Sequence, residues 1–351
     1  VSLTLLELVE SNKGITMQSH WSTVLRRGAI LTATAALLFA TSACGDSDDA
    51  TSASESSSKA SEATFPRTVD HAMGRTEILA RPKRVVALDM TFVDAALALR
   101  AEVVGFTTPA GSGDKLPSYF GDDARTYAPD ARPVGTLSEP GLEKIAALKP
   151  DLILSAKVRH EKLYKQLSAI APTVFSENTG AGWQGNLELV GRSLGREDTA
   201  RERLAAFTTR ARAIGDNVRR ARGKNPEVSV VRFVDGPTRV YKEDTYIGVV
   251  VNALGFAMPA AATGTGFNTE ISDEEIKKMD ADDIFISTYA DKDGLSKQTR
   301  EKFAANPLWK QLKGAVHEVN DTTWMSAVGL YGADSVLDDI ARVYRVRDAR
   351  Q

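Results

Sequence analysis

The chain has 351 residues, with one cysteine, four histidines, a formal net charge of -2, 42% hydrophobic and 26% charged residues. This mildly acidic balance excludes a nucleic-acid binder that works through a basic surface, and a single thiol excludes a disulfide framework or thiolate metal site. Length and composition suffice for two hydrophobic cores.

The first feature in chain order is a basic pair, Arg26 and Arg27, followed by the apolar run "AILTATAALLFA" and then Thr41, Ser42 and Ala43. The run is about 12 residues, against roughly 20 needed to span a bilayer. Basic, apolar and small-residue regions in that order form an export signal, with Met17 its expected start. Cys44, directly after the small residues, resembles the acylated first residue of a bacterial lipoprotein, and two or three acyl chains give a lasting anchor. Residues 1–43 are therefore a leader. Residues 44–63, rich in Ser, Ala and Asp, cannot bury enough surface to offset their ordering entropy and read as a disordered tether.

Next come short β-branched runs at 84–89 ("RVVALD"), 103–108 ("VVGFTT"), 151–156 ("DLILSA") and 172–177 ("PTVFSE"), separated by helical patterns such as "LEKIAALK". The alternation predicts a mostly parallel sheet covered by helices. A second set lies at 227–233 ("EVSVVRF"), 238–242 ("TRVYK"), 283–289 ("DIFISTY") and 315–319 ("AVHEV"). The two halves echo each other: "LEKIAALKPDLIL" aligns with "DEEIKKMDADDIFI", matching Glu143 to Glu274, Ile145 to Ile276, Asp151 to Asp282 and Ile153 to Ile284. The reading is α/β, with a lobe at 64–182, connecting helices at 183–224 and a second lobe at 225–351. Among the connecting residues, Leu204, Phe207, Ala211, Ile214 and Val218 recur at helical spacing with Asp198 as a candidate N-cap. They predict one long, stiff helix between the lobes.

Catalytic motifs are scarce. "GAGWQG" at 180–185 fits G-x-G-x-x-G, but helical residues follow it where a second strand is needed, and Trp183 crowds the backbone approach the glycines serve. There is no nucleophile elbow, phosphate loop or H-E-x-x-H, and the histidines are dispersed. What stands out is arginine and aromatic residues at strand ends, where open α/β sheets bind ligands. Arg159 follows "DLILSA", Arg232 and Tyr289 close two strands, Trp324 lies beyond "AVHEV", Trp183 follows "PTVFSE", and Arg239 and Tyr241 share a strand face. Together they suggest a cleft for an anionic or oxygen-rich ligand. The alternative for each is a surface ion pair or a core position. Ser272 and Glu275 form a capping box that leaves Glu274 spare, and Glu143 occupies a helix's first turn, so the echoing glutamates suit either helix-end roles or docking on a two-fold partner.

The segments "VGTLSEPGLEKIAALKPDLILSAKVRHEKLYKQLSAIAPTVF", "RVVALDMTFVDAALAL", "NPLWKQLKGAVHEVNDTTW" and "GVVVNALGF" resemble the iron-siderophore substrate-binding lipoproteins of bacterial ABC importers. The resemblance implies two Rossmann-like α/β lobes joined by a rigid helix, with a ferric chelate held between them. It implies that Arg159, Arg232 and Arg239 hold the chelate, and that Glu143 and Glu274 dock on a permease dimer driven by ATPases. It further implies a monomer anchored outside the cytoplasmic membrane, with no cofactor, no catalysis and iron held by the siderophore alone. Haem or cobalamin on the same scaffold is the alternative, haem requiring an axial ligand such as Tyr241, Tyr289 or His160. An extracytoplasmic enzyme is a more distant one.

Overall fold

The computed structural model describes residues 64–108 and 113–350. The leader, Cys44 and the tether lie outside them. The described chain enters through a hairpin, β1 (Arg67–His71) and β2 (Gly74–Ile78), followed by β3 (Val85–Ala87), α1 (Met90–Ala98), β4 (Val103–Thr108), α2 (Gly121–Tyr127) and β5 (Arg132–Thr136). Then come α3 (Leu142–Ala147), β6 (Leu152–Ala156), the single turn α4 (Lys157–His160), α5 (Tyr164–Ser168) and β7 (Thr173–Ser176). Helices α6 (Trp183–Leu194) and α7 (Glu197–Arg222) lead to β8 (Val228–Phe233), β9 (Thr238–Tyr241), α8 (Tyr246–Ala253) and β10 (Asn268–Ile271). The chain ends with β11 (Asp283–Thr288), α9 (Leu295–Ala305), β12 (Ala315–Glu318) and α10 (Leu330–Val343).

Two five-stranded sheets result, ordered β5-β4-β3-β6-β7 and β10-β9-β8-β11-β12. The first is wholly parallel, and in the second only β9 runs against its neighbours. Each strand expected from an apolar run is present; β3, β4, β6, β7 and β11 are buried almost throughout, as strands covered on both faces must be, whereas the edge strand β12 is largely exposed. Along β3, Val85 and Ala87 face one core while Val86 and Leu88 face another, and along β8 and its end Val228 and Val230 separate in the same way from Val231 and Phe233. The inner faces of both sheets share one continuous core with α1, α6, α7, α8 and α10. Hairpin β1–β2 covers the edge of β7, with Ala72 N–H donating to the Phe175 carbonyl at 2.9 Å.

The connecting helix α7 has 26 residues, or about 39 Å at 1.5 Å each. Asp198, expected as its cap, falls inside its first turn beside Glu197, where both carboxylates complement the helix dipole; Arg196 holds the cap position. Buried Phe207, Ala211, Ile214 and Val218 form its inner stripe. At Gly215 a β-carbon would lie 1.9 Å from the Leu254 carbonyl oxygen, so glycine is what lets α7 seat against the end of α8. Arg210, buried, pairs with Asp334 (2.6 Å), Asp338 and Asp348 (2.8 Å), fixing the spine to α10 and the chain beyond it. The spine thus packs on α6, α8 and α10.

Candidate functional site

In each sheet the strand order reverses at one point, between β3 and β6 in the first and between β8 and β11 in the second. Crevices outside the carboxyl ends of strands at such points are where open α/β sheets bind ligands. Each of these crevices carries an arginine gripped by an aspartate.

At the first, Asp89 follows β3 and caps α1, its Oδ1 accepting from Thr91 N–H at 3.0 Å. Its Oδ2 accepts from Arg159 Nε at 3.0 Å, and Arg159 Nη2 donates to Thr179 Oγ1 at 3.3 Å. The Arg159 side chain remains 40% exposed, so donors are left for a ligand. The neighbouring His160 is fully engaged: Nδ1 accepts from Ser155 Oγ and Nε2 donates to the Leu137 carbonyl, each at 2.7 Å. Burial holds this imidazole below its ordinary pKa and so neutral.

At the second, Arg232 donates from Nε and Nη2 to the two carboxylate oxygens of Asp321 at 2.7 and 2.6 Å, while Ser287 Oγ donates to Asp321 at 3.1 Å. Burial would depress the Arg232 pKa, but the hydrogen bonds and charge of Asp321 outweigh it and the net direction is up. The guanidinium carbon sits 5.2 Å from the centre of the Tyr289 ring, a cation–π distance. Arg239 lies opposite Arg232 on β9, with Glu270 opposite it in turn on β10. Buried Arg239 Nε has no hydrogen-bond partner, and among the described residues no carboxylate reaches ion-pair distance of this side chain. Tyr241, on the same strand face, is buried.

A half-open cavity of about 210 Å³ lies between the first sheet and the segment after β12, lined by Asp89, Met90, Thr107, Arg159, Met325 and Val328 among others. Most of this wall was not identified from the sequence. The readable signal for Asp89 was an acidic residue between a strand and a helix. Asp321 and Met325–Val328 offered no comparable signal, since a loop's destination depends on the packing of α10.

The tryptophans require correction. Trp183 is 1% exposed and packs edge-on against Phe207 and Tyr246; Trp324 is fully buried, stacked on Phe285 at 4.9 Å, with Nε1 donating to Asp339 at 2.8 Å. Each is a core anchor, Trp183 against Phe207 of the spine and Trp324 between Phe285 of β11 and Asp339 of α10, because a buried indole gains its stabilisation from apolar contact. Tyr289 remains 36% exposed.

Glu143 is exposed in the first turn of α3, and Glu274 is exposed before a short 3₁₀ turn (Ile276–Met279) rather than in an α-helix. The capping box is half realised, with Ser272 N–H donating to Glu275 Oε2 at 3.3 Å. Among the described residues no three His, Cys, Asp or Glu side chains group to hold a metal, and no helix is long and apolar enough to cross a membrane.

The sequence profile of the family described as "Periplasmic binding protein" matches residues 85–319. The "Probable siderophore-binding lipoprotein YfiY" of Bacillus subtilis is 39% identical over 292 residues, covering 78% of this chain and 86% of that protein. The "Fe(3+)-citrate-binding protein YfmC" of the same organism is 29% identical over 288 residues, covering 80% and 87%. Among solved structures, Staphylococcus aureus SirA complexed with staphyloferrin B superposes with a TM-score of 0.72 at 30% identity, covering 80% of this chain and 99% of SirA.

Proposed function

The chain belongs to the periplasmic binding protein family, and from that premise we propose that it captures a ferric siderophore outside the cytoplasmic membrane and delivers it to an ABC permease. The observation that carries this reading is the pair of arginine–aspartate clasps, Arg159–Asp89 and Arg232–Asp321, one at each strand-order reversal. Each clasp fixes a guanidinium and prevents it from collapsing onto another surface group. Arg159, 40% exposed, keeps donors free for chelate oxygens, while Arg232, 14% exposed, also reaches the Tyr241 hydroxyl through Nη1 at 3.5 Å. Iron stays coordinated by the siderophore, which is ligand and not cofactor. A cavity of about 210 Å³ is small for such a ligand, so the chelate spans from it toward Arg232 and Arg239 as the lobes part slightly about α7.

Proteins of this family are binding proteins that work with permease and ATPase components. Docking of this chain on the permease falls to Glu143 and Glu274, which are exposed, acidic and matched in the alignment of the two halves. The anchor falls to Cys44 and the tether, with the protein acting as a monomer. Haem capture is weakened by His160, both of whose ring nitrogens are already bonded, and by the burial of Tyr241.

The test is a fluorescence titration of the purified protein with ferric hydroxamates, ferric catecholates, haem and cobalamin. Saturable binding of a ferric chelate supports the reading. Binding of haem or cobalamin alone would replace the substrate while leaving the fold in place.

A further inference from the structure

We propose that the cleft selects ferric chelates of little or no net charge, and that Arg239 is the residue that sets this preference. The inference rests on the siderophore-binding function above and narrows its substrate class.

Its basis is the pairing of charges at the strand ends. Arg159 is opposed by Asp89 and Arg232 by Asp321, so each clasp supplies hydrogen-bond donors without net charge. Arg239 is the one of the three arginines with no carboxylate at ion-pair distance among the described residues, and its buried Nε lacks any acceptor. Glu270, exposed on the neighbouring strand at the same register, further offsets its charge at longer range. The arginine rows therefore present between zero and one positive charge.

Ferric iron held by three catecholates is triply negative. Held by three hydroxamates it is uncharged, and by two hydroxamates and one α-hydroxycarboxylate it is singly negative. Charge brought into a partly dehydrated cleft must be matched there, and a triply negative complex would leave most of its charge unopposed. A chelate oxygen of any of these classes can accept from the Arg239 guanidinium, so the discrimination falls to charge alone. The cavity wall is apolar at Met90, Leu137, Met325 and Val328, while the exposed ring of Tyr289 lies against Arg232, so aromatic stacking does not decide between chelate classes.

The experiment is a titration of the full chain with ferrichrome, a ferric citrate-dihydroxamate and ferric enterobactin, repeated on Arg239→Gln and Arg239→Lys. We expect one of the first two to bind at least about tenfold more tightly than ferric enterobactin. In Arg239→Gln the singly negative chelate should lose about tenfold or more and ferrichrome clearly less, with Arg239→Lys restoring the difference. Ferric enterobactin binding as tightly as the others overturns the charge preference while leaving siderophore capture intact. An equal loss for every chelate that lysine does not restore overturns the role of Arg239. No binding by any of the three overturns the capture function, and this inference with it.

Discussion

Asp151 and Asp282 perform the same task in two different sheets. The Asp151 carboxylate accepts the backbone N–H groups of Lys83 and Arg84 at 2.8–3.0 Å, tying the start of β6 to the start of β3. Asp282 accepts Glu227 N–H at 3.0 Å and Lys224 Nζ at 2.5 Å, tying β11 to β8. Lys224 first, and then the Glu227 amide, hold the Asp282 carboxyl below its ordinary pKa. Asp151→Ala is expected to cost about 0.5–1.5 kcal/mol, the net worth of hydrogen bonds whose exposed amides water can partly satisfy. Urea unfolding checks this, and an unchanged midpoint would show that the clasp is dispensable.

Arg232→Ala should weaken ferric-chelate binding by about tenfold or more, since it removes ligand donors and leaves the Asp321 carboxylate without its partner. The companion Arg232→Ala/Asp321→Ala variant separates the two effects. Stability recovered without affinity assigns Arg232 to the ligand, whereas recovery of both assigns it to the scaffold alone.

Asp94 governs a pH dependence. Its buried carboxylate on α1 accepts the N–H groups of Leu330 and Tyr331 at 2.6 and 3.0 Å, capping α10 directly after the segment that lines the cavity. Burial raises its pKa to about 7, against the lowering effect of the α10 amides, with Asp334 adding to the rise. A carboxyl whose folded pKa is raised contributes stability that is full below its unfolded pKa and is lost as pH climbs through about 7. Unfolding free energies at pH 5 and pH 8.5 should therefore fall more in the wild type than in Asp94→Asn, by on the order of a few kcal/mol. Parallel pH profiles for the two proteins would contradict it.

Reversing the charge of Glu143 or Glu274 to Lys should leave chelate binding within about twofold, since both side chains are exposed and make no ion pair among the described residues, while iron uptake by cells falls. Normal uptake in the double variant would remove the docking role.

Cys44→Ala should release the protein from the membrane fraction into the soluble extracytoplasmic one, because the described domain has no spanning helix to retain it. Fractionation and blotting of cells expressing each form decide the matter.

Much of the fold was legible because its signals are local. The strands at 103–108 and 283–288 are continuous apolar runs, and α7 is written in the spacing of Phe207, Ala211, Ile214 and Val218. Hairpin β1–β2, β5 and β10 went unread, as their half-exposed residues carry no continuous apolar run. The echo was weak in letters but sound in structure: Ile145 and Ile276 are both fully buried, as are Ile153 and Ile284. Only the second glutamate's helix failed to appear, shortened to a 3₁₀ turn.

The sequence by itself determined that the chain is α/β, that a long helix separates two similar halves and that arginines end several strands, since period and composition are properties of neighbouring residues. The tertiary structure alone decided which of those strand-end side chains face the cleft. Trp183 and Trp324 turned into the core, while Arg159 and Arg232 met aspartates 70 and 89 residues away. Burial and pairing are set by what arrives from distant parts of the chain, and no local pattern encodes an arrival.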